Sequence, residues 1–169
     1  MSSSSQSNSP AELEFGPRRK IFEIKSALAT DWYAGSAFKT AWFNAMSLLF
    51  PLGEKFFIDS VCHFKDQVTD PRLLTEIANF RAQEATHRLQ HQKYNEMLCA
   101  SRGYDLARFE KSERERMDWA YRELTALRRL AGTTASEHLT AIMAHDMLTH
   151  EDTLAGADQA ITEFGIGTA

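Results

Sequence analysis

The stretch that most constrains the fold begins at Asp70-Pro71 and ends near Gly103. An Asp caps a helix, a Pro at the first helical position removes no hydrogen bond, and a Gly suits the stop. Between these signals Leu73, Ile77, Phe80, Glu84, His87, His91, Tyr94 and Leu98 recur at alternating steps of four and three. That spacing puts all eight on one stripe of a long helix. Apolar residues hold both ends of the stripe, which marks it as the buried face. Its middle is a carboxylate and two imidazoles. A charge in that position is costly unless it is paired or bound to a metal.

The rest of the chain follows the same period. No strand-like alternation and no fixed repeat occurs, and Gly and Pro are sparse. The spacing predicts helices over Ala37–Leu49, Pro51–Lys65, Pro71–Ser101, Ala107–Leu130 and Thr134–Thr149. An all-α bundle is the fold class these segments imply. With 169 residues the chain is about one domain long. Residues 1–16, opening "MSSSSQSNSP", read as a disordered Ser-rich tail without the apolar core of a signal peptide. Residues 17–158 read as a helical metal-binding domain, and 159–169, "QAITEFGIGTA", as an irregular tail.

Composition excludes several classes. A formal net charge of -4 argues against a nucleic-acid binder. No apolar run reaches the roughly 20 residues of a membrane span. Cys62 and Cys99 have no redox or zinc spacing, and a reduced, cytoplasmic setting is the simpler reading. No glycine-rich phosphate loop and no identifiable nucleophile triad is present, so no catalytic side chain is assigned and no organic cofactor is implied.

Glu84 and His87, one turn apart, form the E-x-x-H arrangement with which helix bundles hold transition metals. Alone it is a weak motif, equally a buried Glu–His hydrogen bond or a surface patch. Two further carboxylates bear on it. Glu54 in "FPLGEKFFIDSV" sits on an arc with Phe57, Ile58 and Val61, although an acid in the first turn after Pro51 also suits the helix dipole. Glu137 in "TTASEHLTAIM" shares a face with Ala141, Ala144 and Leu148. Ala135, Leu139, Ile142 and Met143 form a second apolar face, so this helix is expected to be central. Thr134 and Glu137 can also be read as a capping box that needs no metal.

The order Glu, Glu-x-x-His, Glu resembles the ferritin-like di-iron carboxylate proteins. Through "SLLFPLGEKFF", "FRAQEATHRLQHQKYNEML" and "SEHLTAIM" the chain is similar to the bacterial family named, from sequence, as predicted metal-dependent hydrolases. The resemblance implies a ferritin-like bundle in which Glu54, Glu84, His87 and Glu137 occupy metal-ligand positions. His91 matches a second motif histidine. The implied cofactor is a divalent metal, with iron first and zinc or manganese as alternatives. Relatives continue into another helix with a second Glu-x-x-His, whereas no such motif follows Glu137 here. The bundle is therefore expected to be incomplete at its C-terminus, with an apolar groove through Phe80 and Tyr94 exposed and a homodimer covering it. The activity implied is hydrolysis of an unidentified small molecule. A di-iron oxygenase and a non-catalytic helical interaction module are the alternatives.

Overall fold

The computed structural model describes residues 6–10, 24–150 and 152–168, with side chains of the last run given up to Phe164. Within them the chain forms α1 (Lys25–Leu28), α2 (Ala37–Cys62), a single 3-10 turn (Lys65–Gln67), α3 (Pro71–Arg102), α4 (Leu106–Glu123), α5 (Ala126–Thr149) and α6 (Gln159–Thr168). Among the described residues no strand occurs, only one isolated bridge between Tyr33 and Ala157. The all-α bundle is the observed class. No helix of the described residues is long and apolar enough to cross a membrane. Most of the expected Ser-rich tail lies outside the described residues. Residues 6–10 are irregular, and the Ser7 backbone N–H donates to the Asp70 carboxylate at 2.7 Å.

α2 and α3 make the most extensive helix pair, and α4 and α5 both pack on α2. α3 starts and stops as its end signals dictate. The Asp70 side chain accepts from Arg72 N–H, Pro71 opens the helix, and Gly103 closes it at φ 70. Just before that end, Arg102 donates from Nε to the Leu28 carbonyl at 2.9 Å and ties α3 to α1.

Two helix boundaries differ from those the spacing predicts. Pro51 does not divide α2, which runs unbroken from Ala37 to Cys62. Conversely, the predicted helix over 107–130 is cut at Leu124, whose ψ of 135 is extended, and α5 starts after Thr125. The Thr125 hydroxyl accepts from Arg128 N–H and supplies the cap. The Gly132-Thr133-Thr134 run that resembles a break is helical instead. Thr134 lies in mid-helix, where its hydroxyl donates to the Leu130 carbonyl at 3.0 Å. The expected central position of α5 is also corrected. Glu137 and Ala144 of the first face and Met143 of the second line the cavity, but Leu139 and Ile142 of the second face are 67% and 54% exposed, and Leu148 of the first is 56% exposed.

The larger correction concerns residues 159–169, expected to be irregular. Gln159–Thr168 is a helix. Asp158 caps it, its Oδ1 accepting from the N–H groups of Ala160 and Ile161 at 3.0 and 3.3 Å. One turn apart, Ile161 and Phe164 are both buried in the main apolar cluster with Ile24, Leu28, Trp32, Tyr33, Tyr94 and Leu98. Burying two such side chains contributes about 1.5–3 kcal/mol each, enough to offset the poor helix propensity of the glycines that follow. Tyr94 is thereby covered, stacked on Phe164 at 5.0 Å and only 3% exposed. The groove expected to be open at Tyr94 is closed by the chain's own last helix.

What returns α6 to this cluster is a short backbone pairing. Ala34 N–H donates to the Gly156 carbonyl and Asp158 N–H to the Trp32 carbonyl, both at 2.9 Å. Gly156 sits at φ 74, and a Cβ there would meet the Ala34 Cβ at 3.1 Å. Both conditions select glycine. Gly156→Ala is expected to lower stability by about 1–2 kcal/mol from the left-handed backbone alone, read as a lower urea midpoint with an unchanged slope.

Candidate metal centre

Proline in a helix leaves the carbonyl four residues earlier without its N–H partner. For Pro51 that carbonyl belongs to Ser47, and it is satisfied from the neighbouring helix. Asn95 Nδ2 on α3 donates to the Ser47 carbonyl at 2.9 Å. The same amide reads the Ser47 side chain, whose hydroxyl donates to Asn95 Oδ1 at 2.8 Å. The single hydroxyl proton is thus committed, so Ser47 Oγ must accept from His91 Nδ1, 2.9 Å away. His91 is therefore the neutral Nδ1–H tautomer, with its lone pair on Nε2. Burial, and secondarily the charge of His87, push its pKa from 6.5 down to about 3. Its ring lies edge-on to Phe50 at 4.6 Å and to Phe164 at 5.3 Å. Next along the same face, Asn44 Oδ1 accepts from Tyr94 Oη at 2.6 Å and from Trp32 Nε1 at 3.1 Å.

These contacts fix the register of α2 against α3, and the register sets Glu54 beside Glu84. Glu54 is in the interior of α2, not in a first turn, so the helix-dipole explanation of it falls away. Glu54 and Glu84 are 5% and 4% exposed. One ligand atom each from Glu54, Glu84 and His87 lie within 4.8 Å of one another. Glu84 Oε1 and His87 Nδ1 are 3.9 Å apart, too far for a hydrogen bond between them. Glu54 Oε2 is buried with no hydrogen-bond partner. A buried, unsatisfied carboxylate oxygen beside a second carboxylate and an imidazole is the arrangement a cation resolves. The donor set, oxygen with one or two imidazole nitrogens, suits iron, manganese or zinc.

Glu137 is outside that triad but lines the same cavity from α5. The capping-box explanation of Glu137 is removed, because the true cap of α5 is Thr125. His138 is exposed, and Asp146 and His150 pair with each other at 3.0 Å on the outside of the helix. Sequence reasoning passed over Ser47, Asn95 and Asn44. The signal was spacing: Ser47 is seven residues, two turns, before Glu54, and Asn95 is four after His91, one turn on and beside Tyr94 of the stripe.

Without a cation the carboxylates hold protons. Burial first, then the charges of Glu84 and Glu137, raise Glu54 from 4.5 to about 9, with Arg88 opposing. Burial, then Glu137, raises Glu84 to about 8. Burial raises Glu137 as well. Across the window from 4.5 to about 9 the folded chain therefore binds more protons than the unfolded one. Stability must fall as pH rises through that window, by at most about 1.4 kcal/mol per pH unit for each group. His91 has the opposite sign. Its contribution is complete above 6.5 and is lost as pH falls towards about 3.

Two outcomes follow. Metal-free protein is expected to unfold at lower urea at about pH 8 than at about pH 6, with Glu54→Gln and Glu84→Gln each flattening the decline and raising stability at the higher pH. Urea titrations across that range check it, and an unchanged slope in both variants would contradict it. For the network, Asn95→Ala should cost about 2–4 kcal/mol by leaving the Ser47 carbonyl and hydroxyl unpaired. Combined with Pro51→Ala, which restores an amide to the Ser47 carbonyl, the loss should shrink by 1 kcal/mol or more, roughly one hydrogen bond. A double-mutant cycle measures that coupling.

Comparison with known proteins adds one finding. No curated protein and no solved structure matches the chain. The model of a family described as "Predicted metal-dependent hydrolase" matches residues 16–164. That span contains all of Glu54, Glu84, His87 and Glu137, and a match over most of the length means that this chain belongs to the predicted metal-dependent hydrolases.

Proposed function

We propose that the chain is a hydrolase that works with a divalent ion held by Glu54, Glu84, His87 and Glu137. The observation that carries this reading is the triad of ligand atoms within 4.8 Å, together with Glu54 Oε2, which is buried without a hydrogen-bond partner. The order Glu, Glu-x-x-His, Glu on α2, α3 and α5 is part of the pattern of ferritin-like di-metal carboxylate bundles. The four side chains supply the needs of one ion, and a second would require further ligands. Iron is the first candidate, with zinc and manganese compatible with the same donors.

A bound divalent ion supplies Lewis acidity, polarising a substrate carbonyl and lowering the pKa of water. The residues do the rest. Glu54 and Glu84 give up the protons they hold in the metal-free chain, which makes loading tighter as pH rises. His87 supplies the neutral nitrogen. Glu137 lines the same cavity from α5 and would complete the set as the fourth ligand, giving up the proton that burial favours in the metal-free chain. His91, neutral through burial and with its tautomer set by Ser47, forms part of the wall beside the centre.

A second reading rests on the ratio of three carboxylates to one imidazole, which suits iron and dioxygen at least as well. One measurement separates the two. Protein purified without chelator is expected to carry about one equivalent of divalent metal per chain, and Glu84→Gln is expected to abolish uptake while leaving the helical content intact. Metal-dependent ester or amide hydrolysis, lost on chelation and restored by the ion, supports the hydrolase. Two irons that consume oxygen support the oxygenase, and a chain that takes up no metal refutes both.

A further inference from the structure

The carboxylate cluster is one end of a longer cavity of about 300 Å³. The residues lining it extend from Glu54 back to Phe43 on α2, from Glu84 forward to Tyr94 on α3, and from Glu137 forward to Met147 on α5. On each helix that is a separation of ten or eleven positions, or about 15 Å at 1.5 Å per residue. All three runs lead from the acidic end towards α6, where Trp32 and Phe164, beside Phe43 and Tyr94, line the far end with Ile161. The space is an elongated slot with the candidate metal centre at its head and hydrocarbon along its length.

The chemistry of the walls is one-sided. Beyond the head, Phe43, Phe50, Met143, Met147 and Phe164 dominate, and His91 contributes an imidazole kept neutral by burial. No Lys or Arg lines the slot among the described residues. Arg88 acts on Glu54 from outside the lining. A phosphate or carboxylate group on a substrate would find no fixed cation along the walls. At the head it would meet three carboxylates, whose charge outweighs that of one divalent ion. Burying an unpaired anion there is costly. A slot of about 300 Å³ holds about ten water-sized groups, at roughly 30 Å³ each.

From this geometry we infer that the substrate is an uncharged, straight-chain aliphatic carbonyl compound, an ester or amide of about ten non-hydrogen atoms. Its carbonyl lies at the Glu84 end and its hydrocarbon chain runs towards Phe164. This deepens the hydrolase reading by naming the class of molecule the same site takes, but binding to the slot does not depend on which chemistry the head performs.

The test is binding, with the metal content of each sample measured alongside. Trp32 lines the slot, whereas Trp42 and Trp119 are exposed. In a chain carrying Trp42→Phe and Trp119→Phe, tryptophan fluorescence then reports on the slot. The probes are primary amides from butanamide to dodecanamide, with octanoate and octyl phosphate as charged counterparts. Affinity is expected to rise about fourfold per methylene until the slot is full near octanamide, and then to stop rising. Octanoate and octyl phosphate should bind at least tenfold more weakly than octanamide. Ala144→Leu, which narrows the slot two turns from Glu137, should shift the best length to shorter amides without changing metal content. Charged probes binding as tightly as octanamide, or affinity independent of chain length, would overturn the inference. A normal amide series in protein that takes up no metal leaves the inference standing and removes the hydrolase reading. Normal metal uptake without the series does the reverse.

Discussion

The Asn95 amide spanning α2 and α3 is the contact on which the rest of the site depends. Pro51 creates the need for it by stripping the Ser47 carbonyl of its helical partner, and Asn95 meets that need from the other helix. A helix defect thus becomes an inter-helix lock with a defined register. One residue of slippage would turn Glu54 about 100° away from Glu84, because successive helix residues are that far apart around the axis. The same amide commits the Ser47 proton and so decides which nitrogen of His91 carries hydrogen. Backbone satisfaction, helix register and imidazole tautomer are consequences of one side chain.

Much of the site was legible because it obeys period. The stripe from Leu73 to Leu98 turns a buried or half-buried face inward, and its polar middle lies where the spacing placed it. Glu54 and Glu137 were found by the same test of an acid where an apolar residue belongs. Boundaries were less legible, for reasons that are physical. Pro51 reads locally as a break, but the partner that cancels its effect is 44 residues away from it in sequence, on another helix. The cut at Leu124-Thr125 has no Gly or Pro to announce it, only a hydroxyl able to cap. Gly132 looks like punctuation, yet nothing lies within 4 Å of where its Cβ would be, so no turn or close approach needs it. The last helix was read as coil from its glycines. Its cap at Asp158 and its two buried side chains act through tertiary contact, which a local pattern does not contain.

The two ends of the molecule are stabilised by different physics. Around α6 the core is apolar, and its buried polar atoms are paired, as Asn44 shows in accepting from both Trp32 and Tyr94. Around Glu54 and Glu84 the interior is polar and unmet, and its carboxylates keep protons well above their ordinary range. Local rules of foldability disfavour the second region, which is what is expected of a place kept for binding rather than for stability. The apolar end supplies the rigidity that holds the other end in its unfavourable arrangement.

That division also links the slot to its head. The aromatic and methionine walls lower the local dielectric, which is why Glu54 and Glu84 resist ionisation when metal-free. The same low dielectric strengthens each bond between an ionised carboxylate and a cation once one is present. Filling the slot with hydrocarbon would displace water and increase both effects. Occupancy of the slot by an apolar chain therefore acts on the head in two opposing ways, raising the cost of ionising Glu54 and Glu84 and strengthening their bonds to a cation once they are ionised. An anionic guest would add a fourth negative group beside the three carboxylates, a repulsion that one divalent ion only partly offsets, so the low dielectric that makes the head demand a cation also makes it reject a charged chain.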